Sequence, residues 1–262
     1  MKKDITVVIT LWKRNYLRLQ LDSIINQSVR PSEIWIIQCE HHIEIDDILN
    51  EFQPMYSKFV VIKSDTNLKY FFRFSVALMC TSTYLLMLDD DIIPCKDWLQ
   101  ICLAKCGEYN AVISCTGRII PLNDMYPETI KDSNYKDLLI GDCFNDEAFN
   151  YCENDTQVDF GCNSYFIKRL WLHEFWSIAP YTFESGEDIH LSASLMIKMK
   201  IPTIVPRQLS RSDSGNLVKE YGKDEFASWT KPGFFEIRKG IFENFINQMG
   251  WQPLKWKNKI FQ

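Results

Sequence analysis

Asp89-Asp90-Asp91 is the strongest chemical signal in the sequence. Three adjacent carboxylates that directly follow the apolar run YLLML (residues 84–88) repel one another and are costly to bury unpaired. A bound divalent cation removes that cost. An all-oxygen ligand set selects a hard ion, Mn2+ or Mg2+, which keeps coordination positions for phosphate oxygens. Alternation along a strand sends Asp89 and Asp91 to one side and Asp90 to the other, so Asp91 and Asp89 are the expected metal ligands. A solvated acidic turn is the ordinary alternative. The apolar strand before the run and Ile92-Ile93-Pro94 after it disfavour that alternative.

A second acidic pair, Glu187-Asp188, stands just before a helical pattern at residues 189–198. Carboxylates there are stabilised by free N–H groups and the helix dipole, so a capping role is expected. Gly186 permits close backbone approach, and a carboxylate within reach of a hydroxyl can also serve as its general base. Capping and catalysis can coexist. Arg73 offers a guanidinium matched to phosphate oxygens, as do Lys13 and Arg14 in the loop after the first strand. His190 is expected to pack or to touch an acceptor. His41-His42 have no Cys or His partner at zinc spacing and belong to a loop.

The elements that must position these residues alternate strand and helix in the first half. Strands are expected at 5–10, 33–39, 59–63 and 84–88, and helices at 16–27, 46–52 and 73–80. Such repetition implies a mostly parallel sheet with right-handed crossovers, flanked by helices, and ligands bound beyond the carboxyl ends of its strands. Further on, helices are expected at 98–106, 169–175, 189–198 and 240–248, and strands at 111–115, 158–167 and 201–205. Residues 122–154 read as a long polar loop.

Composition narrows the function classes. The chain has 262 residues, 46% of them hydrophobic and 14% aromatic, which suits one large domain or one with an appendage. The formal net charge of −5 gives no support for a nucleic-acid partner. Nine cysteines, an odd number without CxxC spacing, read as reduced buried thiols of a cytoplasmic protein. No apolar run approaches the roughly 20 residues of a membrane span. The N-terminal run reads as a strand rather than a secretory leader. Trp251, Trp256 and the nearby lysines fit peripheral contact with the inner face of a membrane as well as packing back on the domain.

Residues 86–94 (LMLDDDIIP), followed by Asp97-Trp98-Leu99, resemble the DxD region of nucleotide-sugar glycosyltransferases of the GT-A fold, family 2-like. Other pieces agree in order: VVITLWKR at 7–14, the Asn67 to Arg73 segment, Gly117-Arg118, Val158-Asp159-Phe160-Gly161, and GEDIHLS at 186–192, with some similarity to the exostosin-type family in the second half. The resemblance implies an α/β GT-A fold, Rossmann-like. It implies a catalytic domain over residues 1–206, with a nucleotide-binding half to about 118 and an acceptor-side half after it, and a C-terminal extension at 207–262 packed on the same domain. Thr10, Trp12, Arg14, Glu40, Asn67, Arg73, Asp89 and Asp90 are then expected around the nucleotide sugar. Asp91 and Asp89 would hold Mn2+ or Mg2+, and Asp188, with Glu187, would serve the acceptor. The implied reaction moves a hexosyl or N-acetylhexosaminyl group, with UDP-sugar as expected donor, to a hydroxyl of a glycan or lipid-linked glycan. These enzymes often complete the metal shell with a late His or Asp. Residues 207–213 contain no His, so Asp213 is the substitute, with Arg207 and Arg211 available to a diphosphate. A nucleotidyltransferase is the alternative, though residues 10–14 lack its usual glycine-rich loop; the other is a carbohydrate-binding protein that kept the fold.

Overall fold

The computed structural model describes residues 4–120, 139–141, 152–218, 222 and 224–255. β1 (Ile5–Leu11), α1 (Leu17–Ile25), β2 (Glu33–Cys39), α2 (Ile45–Phe52), β3 (Phe59–Ser64), α3 (Phe72–Val76) and β4 (Tyr84–Leu88) form the alternating first half. Then follow α4 (Trp98–Tyr109), β5 (Val112–Ile113), β6 (Thr116–Arg118), β7 (Leu139–Ile140), β8 (Thr156–Val158), β9 (Phe160–Cys162), β10 (Ser164–Lys168), α5 (Leu172–Ser177), α6 (Glu187–Met199), β11 (Thr203–Val205) and α7 (Phe234–Met249).

The main sheet runs β3-β2-β1-β4-β10-β5-β11-β8. Its first four strands are mutually parallel, β10 runs antiparallel to both β4 and β5, β11 is parallel to β5, and β8 is antiparallel to β11. β1 is buried along almost its whole length without alternation, as a strand covered on both faces must be. Leu17, Leu21 and Ile24 of α1, Ile45, Ile48 and Phe52 of α2, and Trp98, Leu99, Cys102 and Cys106 of α4 share one apolar core with the strands. Eight cysteines lie among the described residues, all free thiols and all buried.

Several expected elements change shape. The helix expected at 73–80 is a short α3 that tightens into a 3-10 turn at Ala77–Met79. The single strand expected at 158–167 is three strands. The chain leaves the main sheet at Asp159, after β8, and returns to it as β10 through Asn163, whose φ of 68° no strand residue adopts. Between those two breaks β9 pairs with β6, which also pairs with β7, in a second sheet. α6 begins at Glu187 rather than after the acidic pair. α7 begins at Phe234, earlier than its apolar pattern indicates. Of the loop expected at 122–154, all but residues 139–141 and 152–154 lies outside the described residues. Trp251 is buried against Phe242 and Phe245 of α7, the packing reading of this residue; Trp256 lies outside the described residues. Among the described residues no helix is long and apolar enough to cross a membrane.

Two buried glutamines, Gln20 in α1 and Gln27 just beyond its end, tie the acidic segment to that helix. Gln20 donates to the carbonyls of Asp89 (2.8 Å) and Ile92 (2.9 Å). Gln27 donates to the Cys95 carbonyl (2.7 Å) and accepts from the Leu99 N–H (2.9 Å). Behind them Gly215 closes on rigid neighbours. A Cβ there would stand 2.3 Å from the Cβ of Cys115 and 2.6 Å from the Trp98 ring. Gly215→Ala should therefore cost about 1–3 kcal/mol by overpacking. The check is urea unfolding, where an unchanged midpoint would contradict this packing.

Candidate active site

The carboxyl ends of β1, β2 and β4 open into one cavity. Thr10, Trp12, Arg14, Asn67, Arg73 and all three aspartates, Asp89, Asp90 and Asp91, are among its walls. Thr10 donates to the Leu88 carbonyl (3.1 Å) and so ties β1 to β4 at this edge. The Asn67 side chain accepts from the Lys69 N–H (2.9 Å), ordering the loop that precedes α3. Glu40 is not among the cavity walls. Its carboxylate accepts from the Trp12 indole (2.9 Å) and pairs with Lys13 (2.9 Å), so it orients the Trp12 ring.

The aspartates do not alternate as a strand would place them. β4 ends at Leu88, and the Ile92 N–H returns to the Asp89 carbonyl in a turn. Asp90 and Asp91 consequently face the same cation: Arg14 Nη1 lies 2.5 Å from Asp90 and 3.5 Å from Asp91. Asp89 faces Arg73 instead. The strand alternation behind the expected pairing of Asp89 with Asp91 does not operate here, because the turn discards the period of two; all three aspartates nonetheless line the first cavity. Burial, opposed by Arg14, pushes Asp90 up to about 6 and Asp91 up to about 7.

Arg73 is wholly buried. One of its guanidinium nitrogens meets Asp89, and the other meets Glu187 at 2.8 Å. The guanidinium expected at the nucleotide's phosphates is therefore already shared between two carboxylates.

A second cavity adjoins the first and is walled by Glu187, Asp188, Ser185, Cys162 and Arg238. Tyr70, Asp89, Arg118, Asn163, Ser228 and Trp229 border both cavities, so the two meet along one wall. Gly186, at φ 84°, turns the chain into α6 and sets both acidic side chains in its first turn. Burial, then the charge of Asp188, push Glu187 upward against Arg73. Burial also raises Tyr70 to about 12, with Glu187 and Asp89 adding to it, so the phenol stays protonated.

The chain beyond β11 roofs the first cavity. Asp224 grips Arg14 with both oxygens (2.6 and 2.7 Å), and the Gly222 N–H donates to Asp91 (3.1 Å). Phe226 meets Trp12 edge to face, and Lys231 stands 4.7 Å over the Trp12 ring. Asp213 is not with them. It closes a capping box on Ser210 and accepts from the Leu209 and Ser210 N–H groups, which corrects its expected role near the metal. Arg207 and Arg211 are not among the walls of either cavity. His190 packs among Phe71, Phe175 and Phe245, with Nε2 2.9 Å from the Phe175 carbonyl oxygen.

Gln20, Tyr70, Asn163, Asp224, Trp229 and Arg238 join the site without a local sequence signal. Each reads as an ordinary helix or loop residue until the chain folds. Among the described residues no three His, Cys, Asp or Glu side chains converge as a ready metal site.

A mixed sheet with two joined cavities at the carboxyl ends of its parallel strands is the architecture of a GT-A glycosyltransferase. Residues 6–171, more than half of the chain, match the family described as "Glycosyl transferase family 2". The chain belongs to that family. Among solved structures it is similar to S. aureus TarS residues 1–349, with 13% identity and a TM-score of 0.48, covering 78% of this chain and 60% of that one. It is also similar to S. aureus TarS in a longer form, with 15% identity and a TM-score of 0.48, covering 80% of this chain and 37% of that one. The chain thus spans less than two thirds of either structure. No curated protein matches it.

Two outcomes follow from this geometry. Removing Arg73 leaves two carboxylates without their shared cation, so Arg73→Met should lower stability by about 3–5 kcal/mol, measured by urea unfolding. An unaltered midpoint would show that the bridge does not hold the site. Burial lowers the pKa of His190, so the folded state binds fewer protons than the unfolded chain. Its contribution is present above about 6.5 and is lost as pH falls below that value. His190→Gln should flatten the thermal stability profile between about pH 5 and 7; a profile as steep as the parent's would contradict this.

Proposed function

We propose that this chain is a metal-dependent glycosyltransferase that uses a nucleoside diphosphate sugar, with UDP-sugar as the favoured donor. It transfers a hexosyl or N-acetylhexosaminyl residue to a hydroxyl of a glycan or lipid-linked glycan in surface glycan assembly. The observation that carries this reading is the shared wall between the two cavities. A donor in the first and an acceptor in the second meet beside Asp89, Asn163 and Trp229.

The residues fit a hard divalent ion. Asp90 and Asp91 share one guanidinium, that of Arg14, which Asp224 also holds, and Asp89 shares Arg73 with Glu187. The carboxylate donors are all oxygen, and Mg2+ or Mn2+ needs only one or two carboxylates besides substrate phosphates. Asp91 and Asp89 would hold that ion. When bound, it supplies charge neutralisation for the departing diphosphate.

The chain's own residues do the rest. Thr10, Trp12 and Asn67 line the donor cavity, and Arg14 balances Asp90 and Asp91. Asp188 takes the acceptor's proton if configuration inverts, and orients the acceptor if it is retained. As the acceptor oxygen bonds to the anomeric carbon, the bond to the diphosphate breaks and its electron pair leaves with the nucleoside diphosphate.

The test is a screen of UDP-, GDP- and CMP-sugars for Mn2+-dependent release of the nucleotide. Asp91→Asn should lose on the order of a hundredfold or more in turnover. Asp188→Asn should lose transfer while keeping thermal protection by UDP and Mn2+. Full turnover by Asp91→Asn, or release of pyrophosphate in place of nucleoside diphosphate, would refute the reading.

A further inference from the structure

Glu187 and Asp188 are neighbours in sequence, yet each has its own cation from a different part of the chain. Glu187 shares Arg73 with Asp89, whereas Asp188 is gripped at both oxygens by Arg238 of α7: Nη1 to Oδ1 at 2.9 Å and Nη2 to Oδ2 at 2.7 Å. The Asp188 Oδ1 also accepts the N–H of Ile189 (2.8 Å). Arg238 is itself immobilised. It is buried, and its guanidinium carbon lies 5.4 Å from the ring centroid of Phe160 in β9 and 5.2 Å from that of Phe234 at the start of α7.

A single hydrogen bond leaves a carboxylate free to rotate. A planar fork on both oxygens fixes the plane of the group as well as its position. Arg238 borders the acceptor-side cavity and is not among the walls of the donor cavity.

We propose that Arg238 is a positioning residue for the transfer reaction: it holds the Asp188 carboxylate in the orientation needed at the acceptor hydroxyl. This rests on the reading of Asp188 given above. It also assigns a working part of the site to α7, which lies beyond the residues 6–171 that carry the family match. A purely structural clamp between α6 and α7 would bear on stability alone. A positioning residue bears on turnover through Asp188.

The experiment compares Arg238→Gln, Arg238→Lys, Asp188→Asn and the double variant Asp188→Asn/Arg238→Gln in the full chain, with the donor sugar found by the screen. Arg238→Gln should lower kcat about ten- to a hundredfold, with donor KM and thermal protection by UDP and Mn2+ unchanged. Arg238→Lys should recover part of that loss, and millimolar guanidinium should partly rescue Arg238→Gln. The double variant should be no slower than Asp188→Asn alone, because Arg238 acts only through Asp188. Parental kcat in Arg238→Gln beside an inactive Asp188→Asn would overturn this inference alone. So would a further loss in the double variant. Parental transfer by Asp188→Asn would instead overturn the role of Asp188 itself. If Arg238→Gln does not fold, Arg238→Lys carries the test: reduced kcat at unchanged donor KM supports positioning, and parental kcat refutes it.

Discussion

Arg73 lies out of solvent with one guanidinium nitrogen on Asp89 and the other on Glu187, which stands 114 positions after Arg73 in the chain. Burying acids at the end of a sheet is expensive, and the expense grows when they are crowded. A single arginine that serves a carboxylate of each cavity lowers that cost and fixes the distance between the cavities. Its neighbours Phe74 and Tyr165, each with a ring within 5.6 Å of the guanidinium, keep it from turning elsewhere. Two cavities that meet along one wall keep a fixed relation through such a link.

The same logic runs through the rest of the charged site. Arg14 serves Asp90, Asp91 and Asp224, and Arg238 serves Asp188. Each cation comes from a different element: the loop after β1, the α3 segment, and α7. The acids thereby anchor the segment after β11 and α7 onto the α/β sheet. Burial raises Asp90 and Asp91 in spite of Arg14, and repulsion among the three neighbouring aspartates adds to it.

Much of the fold was legible in the sequence because the first half repeats strong local patterns. The β-branched runs of β1 to β3, the apolar run of β4 and the apolar spacing of α1 specify buried strands and an amphipathic helix with little help from distant residues. The position of the acidic run at the tip of β4 follows from the abrupt end of YLLML. The second half was less legible. The turn at Asn163 interrupts an apolar run that carries no glycine or proline at the break, and only the pairing of β9 with β6 explains why the chain bends there. The capping role of Asp213 was equally hidden, since an Asp three residues after a Ser has local as well as distant uses.

The sequence by itself determined the kind of fold, the place of the aspartates at a strand end, the acidic pair at a helix start, and membership of a glycosyltransferase family. Tertiary structure alone decided which cation neutralises which acid. Arg14 and Asp224 are 210 residues apart, Gly222 and Asp91 131 apart, and Arg238 and Asp188 50 apart. Periodicity reports only on neighbours along a helix or strand, within a few positions. Charge pairing in a buried site is settled by the packing of elements that approach one another only after the chain has folded.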